Sequence, residues 1–361
     1  MNQPCRRWEP SACMALVPSP ARRGTGSSIR PQFWSAAMFT TRARLLFGGI
    51  LAATLVLSTS TQAGAHDRQP IGRYVVPGDQ AYPEGIVREP GTPYFYVSGL
   101  TDGTIWRGRI DQPHLQVFLP GGQHGRTTAV GMKITRDRLV VAGGTTGKVF
   151  VYSTRTGQLL HVFDSGARDG LVNDVAIAPN GDAYITDSFR PVLYRITAAQ
   201  LANRQIDQPL ETVVNFDGTP VEYEKGVNEE GINSNGLVVT PDGRFVLMAD
   251  TNSQAFYRIS TKTGAVDAVD LGGVTDIGAD GLLLRDGELY SITSLFHPEG
   301  EISVLRLSED YSRAQVQRRI NGRGMDFPST AAFDGDDLLV VNFQYQRTEP
   351  NLPFTVVRVS L

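Results

Sequence analysis

Cysteine is nearly missing from this 361-residue sequence: there are two, Cys5 and Cys13, both close to the start. That excludes a disulfide framework, a thiolate zinc site and a Cys-based redox motif from the rest of the chain. Helical spacing of apolar residues is missing too, the nearest case from Pro70 onward being the short stretch 198–206. No glycine run of the phosphate-loop or dinucleotide-binding type occurs. No Gly-x-Ser-x-Gly elbow surrounds Ser188, which argues against a serine-hydrolase nucleophile there.

Long apolar runs are reduced to one, residues 45–57, preceded by Arg42 and Arg44 and followed by the small-residue site Ala63-Gly-Ala65. This is the layout of a secretory signal peptide at 38–65, and the run is too short and wrongly flanked for a stable membrane span. The alternative is an uncleaved anchor. Met38 stands just before the signal, so residues 1–37, rich in Pro, Ser and Arg, read as a non-native or disordered extension. Both cysteines lie in it, so the exported part has none and relies on core burial, which nearly 300 residues can supply. A basic surplus is absent as well. Residues 1–65 hold seven of the arginines and one of the acids, leaving 27 basic against 36 acidic side chains, a balance of −9 with histidine neutral. A nucleic-acid surface is not expected.

What is present is glycine, 38 residues, more than the usual roughly 7%, and with it many turns. Residues 231–250 show the pattern: a short strand opening on Asn235-Gly236, the turn Pro241-Asp-Gly243, and a second strand ending in Asp250. The segment from Asn173 through Pro179-Asn-Gly181 to Asp187 repeats it. Pro presets one turn angle and Gly tolerates the left-handed one, so each is a hairpin signal. Units of about four short strands start at Glu84, Val130, Asn173, Asn235, Asp280 and Ser329, at intervals of 46, 43, 62, 45 and 49 residues. This predicts an all-β chain, a six-bladed β-propeller of four-stranded antiparallel blades spanning 66–361 as one domain. The sixth unit shows three strands, and the run from Arg73 supplies the fourth, closing the ring. The 62-residue interval carries an extra segment, 203–230, read either as an ordinary outer strand with a long loop or as a rim beside a site.

In a propeller the first strand of each blade lines the central channel, so equivalent residues converge on one axis. Glu84, Asn173, Asn235 and Asp280 bring two carboxylates and two amides there, a ligand set for a hard divalent cation, Ca²⁺ before others. No histidine or thiolate occupies these starts, which disfavours zinc. Taken singly, each Asn or Asp is a turn former; four in matching repeat positions favour a centre.

Glu84 in Pro-Glu-Gly, Asn173 in Val-Asn-Asp, Asn235 in Ser-Asn-Gly-Leu and Asp280 in Ala-Asp-Gly-Leu resemble the metal-ligand positions of the gluconolactonase/regucalcin (senescence marker protein) family of six-bladed propeller lactonases. The resemblance covers roughly residues 80–345. It implies that Glu84, Asn235 and Asp280 hold the cation, that Asn173 is a ligand or substrate contact, and that Asp280 also serves as general base. Leu171 stands where several sugar-lactonase relatives carry an arginine, and Val130-Gly131 where the paraoxonases carry a histidine.

His124, in Gly121-Gly-Gln-His-Gly, is the second candidate base, with a solvated loop histidine as the plainer reading. Asp187, Asp250 and His297, and also Asp102, are candidates for facing substrate from the ends of second strands, against the plainer reading that such acids bond turn amides. The expected partner is a small-molecule lactone or ester, met by a monomer outside the cytoplasm, without nucleic acid and, once the signal is cleaved, without a membrane. Two other functions stay open: a non-catalytic, metal-stabilised binding module, and a strictosidine-synthase-like condensing enzyme.

Overall fold

Turn chemistry cuts the chain into short strands. At Pro241-Asp-Gly243 the Gly243 backbone takes φ 72°, its N–H bonds the Thr240 carbonyl at 2.8 Å, and the Thr240 hydroxyl donates to Asp242 at 2.6 Å. Gly181 does the same with φ 89° and a 2.8 Å bond to Ala178. The computed structural model describes residues 70–223, 231–294 and 297–361, and over them the chain is all-β apart from one short helix and one 3₁₀ turn.

Strand β1 (Arg73–Val75) precedes β2 (Pro83–Arg88), β3 (Tyr94–Gly99), β4 (Ile105–Arg109) and β5 (Gln112–Leu119). Next come β6 (Met132–Thr135), β7 (Arg138–Ala142), β8 (Lys148–Ser153) and β9 (Leu159–Asp164). The third group is β10 (Val172–Ile177), β11 (Ala183–Asp187), β12 (Val192–Ile196), helix α1 (Ala198–Ala202), β13 (Asp207–Pro209) and β14 (Glu211–Asn215). It is followed by β15 (Ser234–Val239), β16 (Phe245–Asp250), β17 (Ala255–Ser260) and β18 (Val266–Ala268), then by β19 (Gly281–Arg285), β20 (Glu288–Thr293), β21 (Glu301–Leu307) and β22 (Ala314–Asn321). The last are β23 (Pro328–Asp334), β24 (Asp337–Asn342) and β25 (Thr355–Ser360).

Among the described residues hydrogen bonding gathers these strands into five sheets. The largest has eight, in the order β2-β3-β4-β5-β1-β25-β24-β23. Its two halves are joined by a single parallel pair, Val75 opposite His114, whereas β1 is in continuous antiparallel register with β25, Arg73 opposite Val357. Within 198–206, the stretch nearest to helical spacing, a single short helix runs from Ala198 to Ala202. It starts on a capping box in which the Thr197 side chain accepts the Gln200 N–H and the Gln200 side chain takes the Thr197 N–H. Beyond it β13 runs parallel to β9 as an added outer strand, which the sequence reading did not contain. The strand expected at 210–216 is β14, and of the segment 203–230 residues 224–230 lie outside the described ones.

The first strands β2, β6, β10, β15, β19 and β23 pack each against the next, and β23 against β2. Their approach is so close that a Cβ at Gly131 would stand 2.1 Å from Asp174 Oδ1 and one at Gly236 2.4 Å from the Asp280 carbonyl. In β2, β10, β15 and β23 the register breaks at the opening dipeptides 84–85, 173–174, 235–236 and 329–330. Such bulges free backbone groups and re-aim side chains. The freed N–H of Gly85 goes to the Ser98 hydroxyl (2.7 Å), which donates to the Val130 carbonyl (2.6 Å). That of Asp174 goes to Thr186 (3.1 Å), which donates to the Asn235 carbonyl (2.8 Å). One hydroxyl thus repairs a bulge and stitches its sheet to the next.

Between sheets lie apolar layers, such as Val140, Val151, Val175 and Ile185, or Phe95, Val97, Leu339 and Val356 where the two halves of the large sheet meet. Each such side chain stabilises the fold by about 1.5–3 kcal/mol. Among the described residues no helix is long and apolar enough to cross a membrane.

Candidate functional site

The opening residues of the inner strands are polar and yet withdrawn from water. Glu84 is 7% exposed, Asn173 5% and Asn235 4%, while Asp280 is partly exposed. Val130 and Ser329, at the other two starts, are buried, and the Ser329 hydroxyl is taken by the Glu84 carbonyl.

The carboxylates crowd one another. Burial, then the neighbouring carboxylates of Asp280 and Asp174, hold the Glu84 carboxyl well above the usual range, and Lys133 pulls the other way. Asp280 is raised too, by burial first, against a hydrogen bond from the Asn235 side chain that lowers it and the Asp174 charge that raises it. Asp174 itself accepts the Val175 N–H at 2.8 Å, and Lys133 Nζ stands 3.8 Å from it. Asp174 and Lys133 were missed by the sequence reading, although Asp174 follows Asn173 directly. A bulge that lets consecutive residues share one side of a strand has no period-2 signature.

The acceptors are unfilled. Glu84 Oε2 and Asn173 Oδ1 are buried without a hydrogen-bond partner, and such orphaned oxygens cost free energy unless something positive meets them. The Asn173 amide nitrogen is committed to the Ser188 hydroxyl at 2.7 Å, and that of Asn235 to Thr251 at 3.0 Å. Two carboxylates crowded by a third and an unpartnered amide oxygen are a donor set of the kind Ca²⁺ takes, hard, anionic and all oxygen. The residues fit a divalent cation on these grounds. Among the described residues no three His, Cys, Asp or Glu side chains converge as a ready metal cluster, so the fit depends on the amides.

The acids at the ends of second strands are engaged in their own turns. Asp187 Oδ1 accepts the N–H groups of Leu171 (2.8 Å), Phe189 and Arg190 (both 3.1 Å), and its Oδ2 the Tyr194 hydroxyl (3.2 Å). Asp250 Oδ1 accepts from the Ser253 N–H and hydroxyl, both 2.9 Å. Asp102 accepts from the N–H and hydroxyl of Thr104, both 2.8 Å. Each of the three thus bonds groups of the turn that follows its strand. His124 is exposed in a 3₁₀ turn, Gln123–Gly125, its ring 6.1 Å from that of Tyr152, and no described contact joins it to the four opening residues. His297 is partly exposed, 3.6 Å from the buried Glu301 carboxylate; Phe296 beside it lies outside the described residues. From the long interval, Tyr223 folds back beside the site, its hydroxyl donating to the Asp187 carbonyl (2.8 Å) and accepting from Ser234 Oγ (2.6 Å).

No protein-family model matches the sequence, and no curated protein is significantly similar to it. Solved structures do match. A calcium-binding protein, regucalcin, from Agrobacterium tumefaciens aligns at 15% identity over 81% of this chain and 95% of its own, with a TM-score of 0.58. A protein assigned as a gluconolactonase by family aligns at 14% over 80% and 92%, with 0.55. A luciferin-regenerating enzyme aligns at 13% over 81% and 96%, with 0.54. The chain has the fold of the regucalcin-like propeller lactonases.

Proposed function

We propose that this chain is a six-bladed β-propeller, closed by β1 and comprising residues 66–361, which is exported after loss of its signal. It acts as a monomer that hydrolyses a lactone or related ester at a divalent-cation centre, Ca²⁺ before others. Support for six blades comes from the cyclic packing of β2, β6, β10, β15, β19 and β23 and from the pairing of β1 with β25 beside β24 and β23. Regucalcin's being a calcium-binding protein supports the choice of ion.

The observation that carries the reading is the pair of unpartnered buried oxygens, Glu84 Oε2 and Asn173 Oδ1, beside the crowded carboxylates of Glu84, Asp174 and Asp280. Glu84, Asn173, Asn235 and Asp280 would hold the ion. A bound Ca²⁺ supplies Lewis-acid polarisation of the ester carbonyl and charge to offset the developing oxyanion. Asp280 takes the proton of the attacking water at its carboxylate. His124, exposed in its turn, has no part in this scheme. Asp187 and Asp250 hold the turns that flank the site.

The test is hydrolysis of sugar, aliphatic and aromatic lactones by the purified exported form, with calcium and with a chelator. Hydrolysis of at least one class that stops on chelation and returns with calcium is expected. Activity indifferent to chelation removes the metal from the mechanism, and no hydrolysis of any class with metal bound leaves a binding module.

A further inference from the structure

Ser188 directly follows β11 and Thr251 directly follows β16. Each hydroxyl faces the amide of an opening residue, Asn173 at 2.7 Å and Asn235 at 3.0 Å. Each also faces a backbone carbonyl, that of Ser234 at 2.6 Å and that of Ala279 at 2.9 Å. A hydroxyl has one proton, and a carbonyl can only accept. The proton is therefore spent on the carbonyl, and the amide meets a lone pair. Only an amide NH₂ can satisfy it, so the amide oxygen must turn the other way. Asn235 meets a second demand of the same kind, because it also hydrogen-bonds the Asp280 carboxylate, an acceptor. For Asn173 the result is visible in Oδ1, buried and without a partner.

The two accepting carbonyls belong to the residues just before the next opening residues, Ser234 before Asn235 and Ala279 before Asp280. One hydrogen-bond chain therefore runs from Asn173 through Ser188 to the backbone at Asn235, and from the Asn235 amide through Thr251 to the backbone at Asp280. We infer that Ser188 and Thr251 are positioning residues of the metal centre, fixing which way each amide faces and the spacing of three ligands; this rests on the metal-centre reading above.

Calcium titration calorimetry on the full exported chain tests it. Thr251→Val, which keeps shape and removes the hydroxyl, and Ser188→Ala are expected to bind calcium about 10- to 100-fold more weakly, the usual effect of losing an outer-shell partner. Thr251→Ser and Ser188→Thr restore the hydroxyl and are expected to restore affinity. Lost packing alone would give Thr251→Ser the larger defect and Thr251→Val the smaller, so that order overturns the inference. Folded Thr251→Val and Ser188→Ala that bind as tightly as the parent also overturn it, while the metal centre stands. A parent chain that binds no divalent cation overturns both.

Discussion

The hydroxyl of Ser329 donates to the carbonyl of Glu84 at 2.5 Å, although 245 residues of chain separate them. It ties the start of β23 to the start of β2 and holds the backbone from which the Glu84 carboxylate projects. Removing it leaves a buried carbonyl unsatisfied, which costs about 1–3 kcal/mol. Ser329→Ala is therefore expected to lower the unfolding free energy by that amount, seen as a lower urea midpoint with an unchanged slope, and to weaken calcium binding through Glu84. Equal unfolding midpoints for variant and parent would contradict the tie.

Asp280 combines proximity to Glu84 and Asp174 with a hydrogen bond from Asn235. Asp280→Ala is expected to abolish both calcium binding and lactone hydrolysis while the chain stays folded, as circular dichroism would show. Retained calcium affinity in that variant would sink the four-residue centre.

Glu84 and Asp280 also fix the sign of a pH effect. Both carboxyls are raised in the folded chain, Asp280 to about 7, against about 4 when unfolded. For an acid shifted this way the folded state binds more protons than the unfolded one, so the stabilising effect exists below the unfolded value and is lost as pH climbs through the folded one. Metal-free protein is expected to lose thermal stability between about pH 4 and 7, and saturating calcium, which favours the ionised forms, to flatten or reverse the trend. Melting curves across this range in chelator and in calcium would decide it.

Away from the site, Asp334 accepts from Arg88 Nε at 2.9 Å and from Arg358 Nη2 at 2.7 Å, joining β2, β23 and β25. The first influence on its carboxyl is burial, which raises it, but the two guanidiniums outweigh this and hold it below the usual range. For a depressed acid the contribution is complete above the unfolded value and fades as pH falls through the folded one. Asp334→Ala removes the carboxylate that Arg88 and Arg358 share, Arg358 keeping that of Asp337 at 3.0 Å, and is expected to cost about 1–3 kcal/mol at neutral pH. The gap from the parent should narrow in acid, below about pH 4, as chemical denaturation at several pH values would record.

Much of this architecture was legible because it repeats. The hairpins at Pro179-Asn-Gly181 and Pro241-Asp-Gly243 carry their turn geometry in their residues, and the strands around them followed. β13 was not legible: it is three residues ending in proline, and its pairing with β9 is parallel and non-local. At the site, Glu84, Asn173, Asn235 and Asp280 stood out as polar residues at apolar places. Asp174 and Lys133 did not, since their meeting depends on a bulge and on two adjacent inner strands. Ser188 and Thr251 left a signal that went unread, a hydroxyl residue just after each strand-ending Asp, in Asp187-Ser188 and Asp250-Thr251. The ends of these second strands repeat in register, as the starts of the first strands do.

The antiparallel pair of β1 and β25 has a consequence for the order in which the molecule is assembled. The bond from Arg358 to the Tyr74 hydroxyl spans 284 residues, so β1 is made early and finds its antiparallel neighbour only after Thr355–Ser360 has been synthesised. Until then the last sheet lacks its outer strand, and β1 is held to the first strands by one bridge to β5, the Tyr74 hydroxyl bond to the Ile110 carbonyl and the packing of the Tyr74 ring on Phe95. Loop closure over such a distance makes docking of β1 a late folding event. A nascent chain stalled short of β25 therefore displays an unpaired edge at each end of its longest seam, which makes it a substrate for chaperones or for its own kind.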